Sequence, residues 1–135
     1  EDVIFKGTIT TTACIFVEGS LSIVKSGSTY PRIRVGASGA LPALVCTGSM
    51  SYSSNGNGGS YLETNGLVYV SGSFAFSSGN HDHLTMNGPL VVKGSLSVSP
   101  QAWNNTSVTW TSVNPPGFTN SNSGGGQMTI VSYNL

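Results

Sequence analysis

The chain has 135 residues, of which only 7% are charged, and its five cationic and five acidic residues give no formal net charge. A typical soluble domain carries about 25% charged residues. Nucleic-acid binding relies on clustered cations, so this composition excludes a nucleic-acid-binding domain. It also excludes intrinsic disorder, because 38% of the residues are apolar. No apolar stretch approaches the roughly 20 residues of a membrane span, and we expect no membrane contact by this segment.

A short phrase recurs along the chain: two apolar residues, one variable residue, a glycine, and then alternating small polar and apolar residues. The copies are IFKGTI (4–9), FVEGSLSI (16–23), VCTGSMSY (45–52), YVSGSFAF (69–76) and VVKGSLSV (91–98). The last three glycine intervals, about 22 to 29 residues, match one coil of a solenoid. The first interval, 12 residues from Gly7 to Gly19, is about half a coil. We therefore expect a second, related corner in each coil, which Gly66 and Gly88 would supply.

Each phrase predicts a corner followed by a strand with one buried face. Glycine suits a corner because it adopts positive φ without steric cost, and the alternation after it is the period of a half-buried strand. Stacked coils would place Leu21, Met50, Phe74 and Leu96 in one interior column and Ile23, Tyr52, Phe76 and Val98 in the next.

We therefore predict an all-β fold, a right-handed, single-stranded parallel β-helix (solenoid) of about four coils over residues 1–100. The handedness follows from the general rule for parallel crossovers. An antiparallel β-sandwich is the alternative, because strands and turns at this spacing do not force parallel pairing.

The two cysteines, Cys14 and Cys46, lie at positions of opposite parity relative to their coil glycines. Ideal strands would point them to opposite faces. We expect two buried thiols rather than one disulfide bridge, and two cysteines define neither a metal site nor a disulfide framework.

The segment Asn80-His81-Asp82-His83 is the one place where ionisable side chains cluster in the sequence. His81 and His83 would share a strand face and are candidate metal ligands, but a competent site needs a third or fourth ligand. The favoured interpretation is a polar turn in which His and Asp side chains satisfy backbone groups. We accordingly expect no metal and no cofactor.

After Pro100 the repeat ends, and residues 101–135 are predicted to form a C-terminal cap. Open solenoid ends expose apolar cross-section and unpaired strand edges, which terminal segments commonly cover. Trp103 and Trp110 have two interpretations. They belong to the core of the cap, or they form, with Tyr52, an aromatic platform that stacks on sugar.

Catalytic machinery is missing from the sequence. Polysaccharide lyases and glycosidases that share the β-helix need paired carboxylates or acidic clusters for calcium, and the five acidic residues of this chain are not paired on any repeated strand face. A Gly-x-Ser-x-Gly segment is also absent, which argues against a serine hydrolase. We therefore expect a domain that is not an enzyme.

Two segments resemble the sequence pattern of β-helical ectodomains attached to type IV pilin-like N-termini: GLVYVSGSF (66–74) and MNGPLVVKGSL (86–96). The segments NPPGF (114–118) and MTIV (128–131) are similar to the tail of that group, and the likeness covers about residues 64–135. Bactofilin-type polymer-forming β-helices also resemble this chain, because they share the pattern V-x-G-x-[LV]-x-[IV], although their coils are shorter and more regular. The pilin-like resemblance implies an extracellular or cell-surface location and a hydrophobic helix before Glu1, and it carries over no catalytic residues.

These observations favour a structural or adhesion domain of a pilus-like or surface assembly. Repeated coils present flat neutral faces and strand edges about 4.8 Å apart, which suit stacking against copies of the chain or against other surface proteins. The alternative is a carbohydrate-binding module that binds glycan through exposed aromatic side chains. A polysaccharide-active enzyme is the weakest of the three interpretations.

Overall fold

The computed structural model describes residues 1–36, 41–54, 59–77, 79, 81–99 and the backbone of 107–111. In chain order the strands are β1 (Val3–Phe5), β2 (Thr8–Thr11), β3 (Ile15–Val17), β4 (Leu21–Val24), β5 (Arg32–Gly36), β6 (Leu44–Cys46), β7 (Met50–Ser53), β8 (Tyr61–Asn65), β9 (Val68–Val70), β10 (Phe74–Ser77), β11 (His83–Asn87), β12 (Leu90–Val92), β13 (Leu96–Ser99) and β14 (Ser107–Thr111). No helix long and apolar enough to cross a membrane occurs within these ranges.

The strands form three sheets, which the chain visits in turn. Sheet A has the order β1-β4-β7-β10-β13, sheet B the order β14-β11-β8-β5-β2, and sheet C the order β12-β9-β6-β3. Every pairing between these strands is parallel. The predicted parallel β-helix of about four coils is confirmed, and the antiparallel β-sandwich is wrong. The right-handed crossover stays a prediction.

The interior columns of sheet A have the predicted register. One column contains Leu21, Met50, Phe74 and Leu96, and the next contains Ile23, Tyr52, Phe76 and Val98. Their members in the middle coils are buried, whereas Leu96 and Val98 are partly buried. The rings of Tyr52 and Phe76 stack with centroids 4.7 Å apart. Full burial of a large apolar side chain stabilises a fold by about 1.5–3 kcal/mol, so these columns are a main source of stability.

Sheets B and C complete the core with their own inward-facing side chains. The buried residues of these two sheets include Ile33, Val35, Leu62, Leu84 and Met86 from sheet B, and Val17, Leu44, Cys46, Val68 and Val70 from sheet C. Each alternates along its strand with a more exposed neighbour, as the burial of sheet B strands shows. The core therefore runs along the solenoid axis between all three sheets.

Four glycines stack at the corner between sheets C and A: Gly19, Gly48, Gly72 and Gly94. From Gly48 onward, each backbone N–H donates to the carbonyl of the previous glycine, at 2.7, 2.8 and 2.9 Å in turn. The expected reason for glycine, positive φ, applies only to Gly19, whose φ is +117°. At Gly48 the reason is close backbone approach, because a Cβ there would lie 2.6 Å from the carbonyl carbon of Gly19.

Gly7 does not belong to this glycine column. It lies between β1 and β2, at the corner between sheets A and B, where its carbonyl accepts a hydrogen bond from the Arg32 N–H at 2.9 Å. Gly66 and Gly88 lie at the corner between sheets B and C. The expected second corner at Gly66 and Gly88 is therefore present, but Gly7 does not belong to it, because a coil that crosses three sheets has three corners.

The predicted cap lies largely outside the described residues. Its described part is the backbone of β14, which pairs in parallel with β11 and extends sheet B. The ladder of sheet B therefore continues past residue 100, and the boundary between the coils and the cap stays a prediction.

Candidate interaction surfaces

Sheet A presents a flat face of small residues. The outward-facing positions at the centre of its strands are Ile4, Ser22, Ser51, Ala75 and Ser97. The Ser51 hydroxyl donates to the Ser22 hydroxyl at 3.2 Å. Apart from Ile4 on β1 and Val24 at the end of β4, this face consists of serine and alanine side chains, which make contacts by shape and hydrogen bonds rather than by charge.

Sheet B carries the polar and charged face. Arg34 donates a hydrogen bond from Nε to Glu63 Oε2 at 2.7 Å, and its guanidinium lies 5.6 Å from the centroid of the Tyr61 ring. The hydrogen bond and the charge of Glu63 raise the pKa of Arg34. Asn87 donates to Asn65 on the neighbouring strand at 2.7 Å. Because these groups pair with one another across adjacent strands, they stabilise the ladder of sheet B.

Sheet C carries an exposed row of large apolar side chains. Phe16, Val45, Tyr69 and Val91 are paired in register at the centres of β3, β6, β9 and β12. Phe16 is 64% exposed and Val91 37% exposed, and Val45 and Tyr69 are half-buried. We call these four residues the apolar column. An apolar surface of this kind, running the length of a small domain, commonly marks an interaction site.

Sequence reasoning missed the apolar column, although its signal was present. The repeated phrase begins with two consecutive apolar residues, as in Phe16-Val17 and Tyr69-Val70. Successive residues of a strand point to opposite faces, so only one residue of each pair can enter the core. In the four copies whose pair lies on sheet C, the other residue lies on the outer face of that sheet, whereas in the first copy the pair lies on β1 of sheet A and Ile4 is the outward residue.

The turn that contains His81, Asp82 and His83 is held by the carboxylate of Asp82. This carboxylate is fully buried, and it accepts hydrogen bonds from the Ser60 N–H at 3.0 Å and the Gly79 N–H at 2.6 Å. The expectation that Asp82 satisfies backbone groups is confirmed. His81 adopts a left-handed backbone conformation with φ +63°, and His83 begins β11 with an exposed side chain.

His81 and His83 gain no further metal ligand in the described part of the chain. No group of three or more His, Cys, Asp or Glu side chains within it could hold a metal ion. The acidic neighbour of the two histidines, Asp82, is directed into the fold and engaged by backbone N–H groups. The described geometry of this turn is that of a structural element.

The prediction that Tyr52 belongs to an aromatic platform for sugar is wrong, because its side chain is fully buried in the core. The alternation of β7 places it on the inner side with Met50. Burial, with a smaller contribution from the charge of Asp82, raises the pKa of the Tyr52 hydroxyl. The Tyr52 hydroxyl has no hydrogen-bond partner among the described residues. A surface ligand cannot reach this ring.

The two tryptophans are positioned only in part. Trp103 lies outside the described residues. Trp110 lies on β14, where its backbone pairs in register with Met86. The two interpretations of these tryptophans, cap core and aromatic platform, both stay predictions.

Both cysteines are free thiols, as expected. Cys46 is buried, and its Sγ lies 3.2 Å from the Gly19 carbonyl oxygen. Cys14 is only half-buried, so the expectation of a second buried thiol is wrong. Cys14 immediately precedes β3, the first strand of sheet C, and is therefore close in sequence to the apolar column.

An open depression of about 350 Å³ lies beside Val24, Lys25, Gly27 and Ser53, at the corner between sheets A and B. Lys25 lies with its ammonium 4.6 Å from the centroid of the Tyr30 ring. The depression contains one titratable group among these residues, so it offers no paired acid and base. The outer faces are the stronger candidates for a functional role.

Comparison with known proteins gives no relative for this chain: no protein-family model, curated protein or solved structure matches it.

Proposed function

We propose that this domain is a structural or adhesion module, not an enzyme, that works by contact between its outer faces and other proteins. The observation that carries this proposal is the apolar column, which places an apolar side chain on the outer side of four stacked strands and leaves Phe16 and Val91 exposed at its two ends. The core does not need these side chains, because each has an inward-facing neighbour that fills the interior. An exposed apolar row that folding does not require is best explained by a partner.

The ionisable groups support the same proposal. The buried Asp82 carboxylate binds backbone N–H groups, and Glu63 pairs with Arg34. A hydrolytic site needs an acid and a base, or a nucleophile and a base, directed toward a common point in a cleft. These side chains are instead used to hold turns and strands together.

The proposed setting is an extracellular or cell-surface assembly, pilus-like in organisation. The resemblance of residues 64–135 to pilin-like β-helical ectodomains supports this setting. The low charge content and the Ser- and Thr-rich faces agree with it. Tyr52 is buried in the core, so the carbohydrate-binding alternative now depends on Trp103 and Trp110.

Size-exclusion chromatography with light scattering, over a wide concentration range and in reducing buffer, tests the proposal. We expect the mass to rise above the 13.9 kDa of one chain as concentration increases. Reducing buffer prevents disulfide-linked species formed through Cys14. A constant monomer mass up to millimolar concentration would contradict self-association by this domain. Binding to a glycan array by that monomer would then support the carbohydrate-binding alternative.

A further inference from the structure

The apolar column is complementary in size to a second copy of itself that runs in the opposite direction. Its four side chains alternate in size along the solenoid axis: Phe16, Val45, Tyr69 and Val91. Strands in a sheet are about 4.8 Å apart, so the column is about 15 Å long. If a second column is laid against it in the opposite direction, each aromatic side chain meets a valine.

The charged residues beside the column are likewise complementary to those of a second copy that runs in the opposite direction. Glu18, Thr47, Ser71 and Lys93 follow the last residues of β3, β6, β9 and β12. The N–H groups of Thr47, Ser71 and Lys93 donate to the carbonyls of Val17, Cys46 and Val70 at 3.0, 2.9 and 3.0 Å. These four residues therefore form one stacked row, with an acidic residue at the first coil and a basic residue at the fourth. Glu18 and Lys93 are both exposed.

Deepening the proposed function, on which this inference rests, we propose that the apolar column binds the apolar column of a second copy of this chain, with the two solenoid axes antiparallel. The two-fold axis lies in the contact plane, parallel to the strands of sheet C. This axis keeps the Glu18 to Lys93 row of both copies on the same side of the contact. Glu18 then lies opposite Lys93 of the second copy, and Phe16 lies opposite its Val91.

The parallel arrangement lacks this complementarity. With a two-fold axis along the solenoid, Phe16 would meet Phe16 and Tyr69 would meet Tyr69. The charged row of one copy would then lie opposite the other corner of sheet C, where Leu67 and Pro89 lie. Size and charge therefore both favour the antiparallel dimer.

The contact is small, so the dimer is weak. Four strands of three residues give a face well below the roughly 800 Å² per partner of a standard interface. Dissociation constants in the micromolar to millimolar range are expected for contacts at the low end of the size range. Concentration-dependent sedimentation is the suitable measurement.

The first test places a charge on the apolar column. Val91→Glu puts a carboxylate against Phe16 of the second copy, and we expect the dissociation constant to rise at least tenfold, roughly the effect of desolvating an unpaired charge. The matched control is Ala75→Glu, an exposed outward position at the centre of β10 in the same coil but on sheet A. The control should change the dissociation constant less than about twofold. Circular dichroism verifies that both variants are folded.

The second test uses the charge pair to establish direction. Glu18→Lys alone would place two ammonium groups opposite each other across the contact, and Lys93→Glu alone would place two carboxylates there. Each variant should dimerise about two- to tenfold more weakly than wild type. The double variant Glu18→Lys/Lys93→Glu keeps the net charge of wild type and again places an ammonium group opposite a carboxylate in the antiparallel dimer, so it should dimerise more tightly than either single variant. That recovery should shrink in high salt.

The outcomes separate this inference from the proposed function. Self-association that Val91→Glu leaves unchanged would overturn the use of the apolar column but keep a self-assembling domain. Sensitivity to Val91→Glu, together with a charge-swapped double variant that dimerises as weakly as the single variants, would overturn the antiparallel arrangement. A strict monomer at millimolar concentration would overturn the dimer but not the proposed contact between the outer faces and a different protein.

Discussion

Two columns of apolar side chains lie on opposite sides of the same strands in sheet C. The inner column is Val17, Cys46, Val70 and Val92, and the outer one is the apolar column of Phe16, Val45, Tyr69 and Val91. The inner side chains are buried or partly buried in the core, whereas the outer ones face away from it. Folding accounts for the first column through burial of apolar area. Folding buries the second column only in part and leaves Phe16 and Val91 exposed, and this difference is the basis of the proposed contact.

The outer face of sheet A strengthens this comparison. Its strands have similar length and the same parallel stacking, yet beyond Ile4 its central outward positions are Ser22, Ser51, Ala75 and Ser97. A β-helix of this kind therefore does not require large apolar residues on its outside. Single large apolar residues such as Ile4 and Val24 also lie on the outer side of sheet A, but only sheet C, among the described strands, carries such residues in register on four strands in succession.

The largest expected difference between the two columns comes from one substitution made on each side. Val70 is fully buried, so Val70→Ala removes packed methyl groups and should lower the free energy of unfolding by about 2–3 kcal/mol. Val45→Ala, on the outer side of the neighbouring strand, removes a half-buried side chain and its cross-strand contacts with Phe16 and Tyr69, and should lower it by only about 1 kcal/mol or less. Urea unfolding of dilute protein measures both. Equal losses would show that the outer column also contributes to the stability of the monomer.

A smaller effect on stability is expected at the corner where the chain passes from sheet C to sheet A. Gly48→Ala introduces a Cβ that would lie 2.6 Å from the carbonyl carbon of Gly19. We expect a loss of about 1–3 kcal/mol as the backbone ladder shifts. Gly7→Ala is the control, because a Cβ there meets nothing within 4 Å. Thermal unfolding of the two variants compares them, and similar melting temperatures would contradict the close-approach argument.

The smallest effect concerns a polar atom inside the core. The Tyr52 hydroxyl is buried without a partner among the described residues, so Tyr52→Phe should change stability at pH 7 by less than about 1 kcal/mol, in the stabilising direction. Because the folded pKa is raised, the unfolded chain ionises first. Wild-type stability should then fall as pH rises above the unfolded value of about 10. The variant should lose less stability than wild type over that range. Equal alkaline losses in urea titrations would contradict this assignment.

Much of the fold could be predicted because its signals are local. Alternation after each repeated glycine identified the interior columns from Leu21 to Leu96 and from Ile23 to Val98, and the structure places these residues in register. The repeat length identified a solenoid because one coil must return to the sheet where it began. The corners were assigned less well, since Gly7, Gly19 and Gly66 look alike in sequence but lie at three different corners.

The candidate surface could be predicted only in part. The paired apolar residues were visible in every copy of the phrase, but a pair does not reveal which member faces outward. Tyr52 illustrates the same limit, because an aromatic residue in a strand suits a core and a sugar platform equally until its neighbours are known. The structure assigns Tyr52 to the core, where it stacks on Phe76.

The residue pattern alone predicts stacked strands with alternating burial, because period-two patterning and repeated glycines act over a few residues. Which side chains the stacking brings together depends on the complete fold. Phe16 and Val91 lie 75 positions apart in the chain but belong to one column, and Glu18 and Lys93 belong to the row beside it. Such a surface depends on the register of every coil between its ends, and register is set by packing across the whole core.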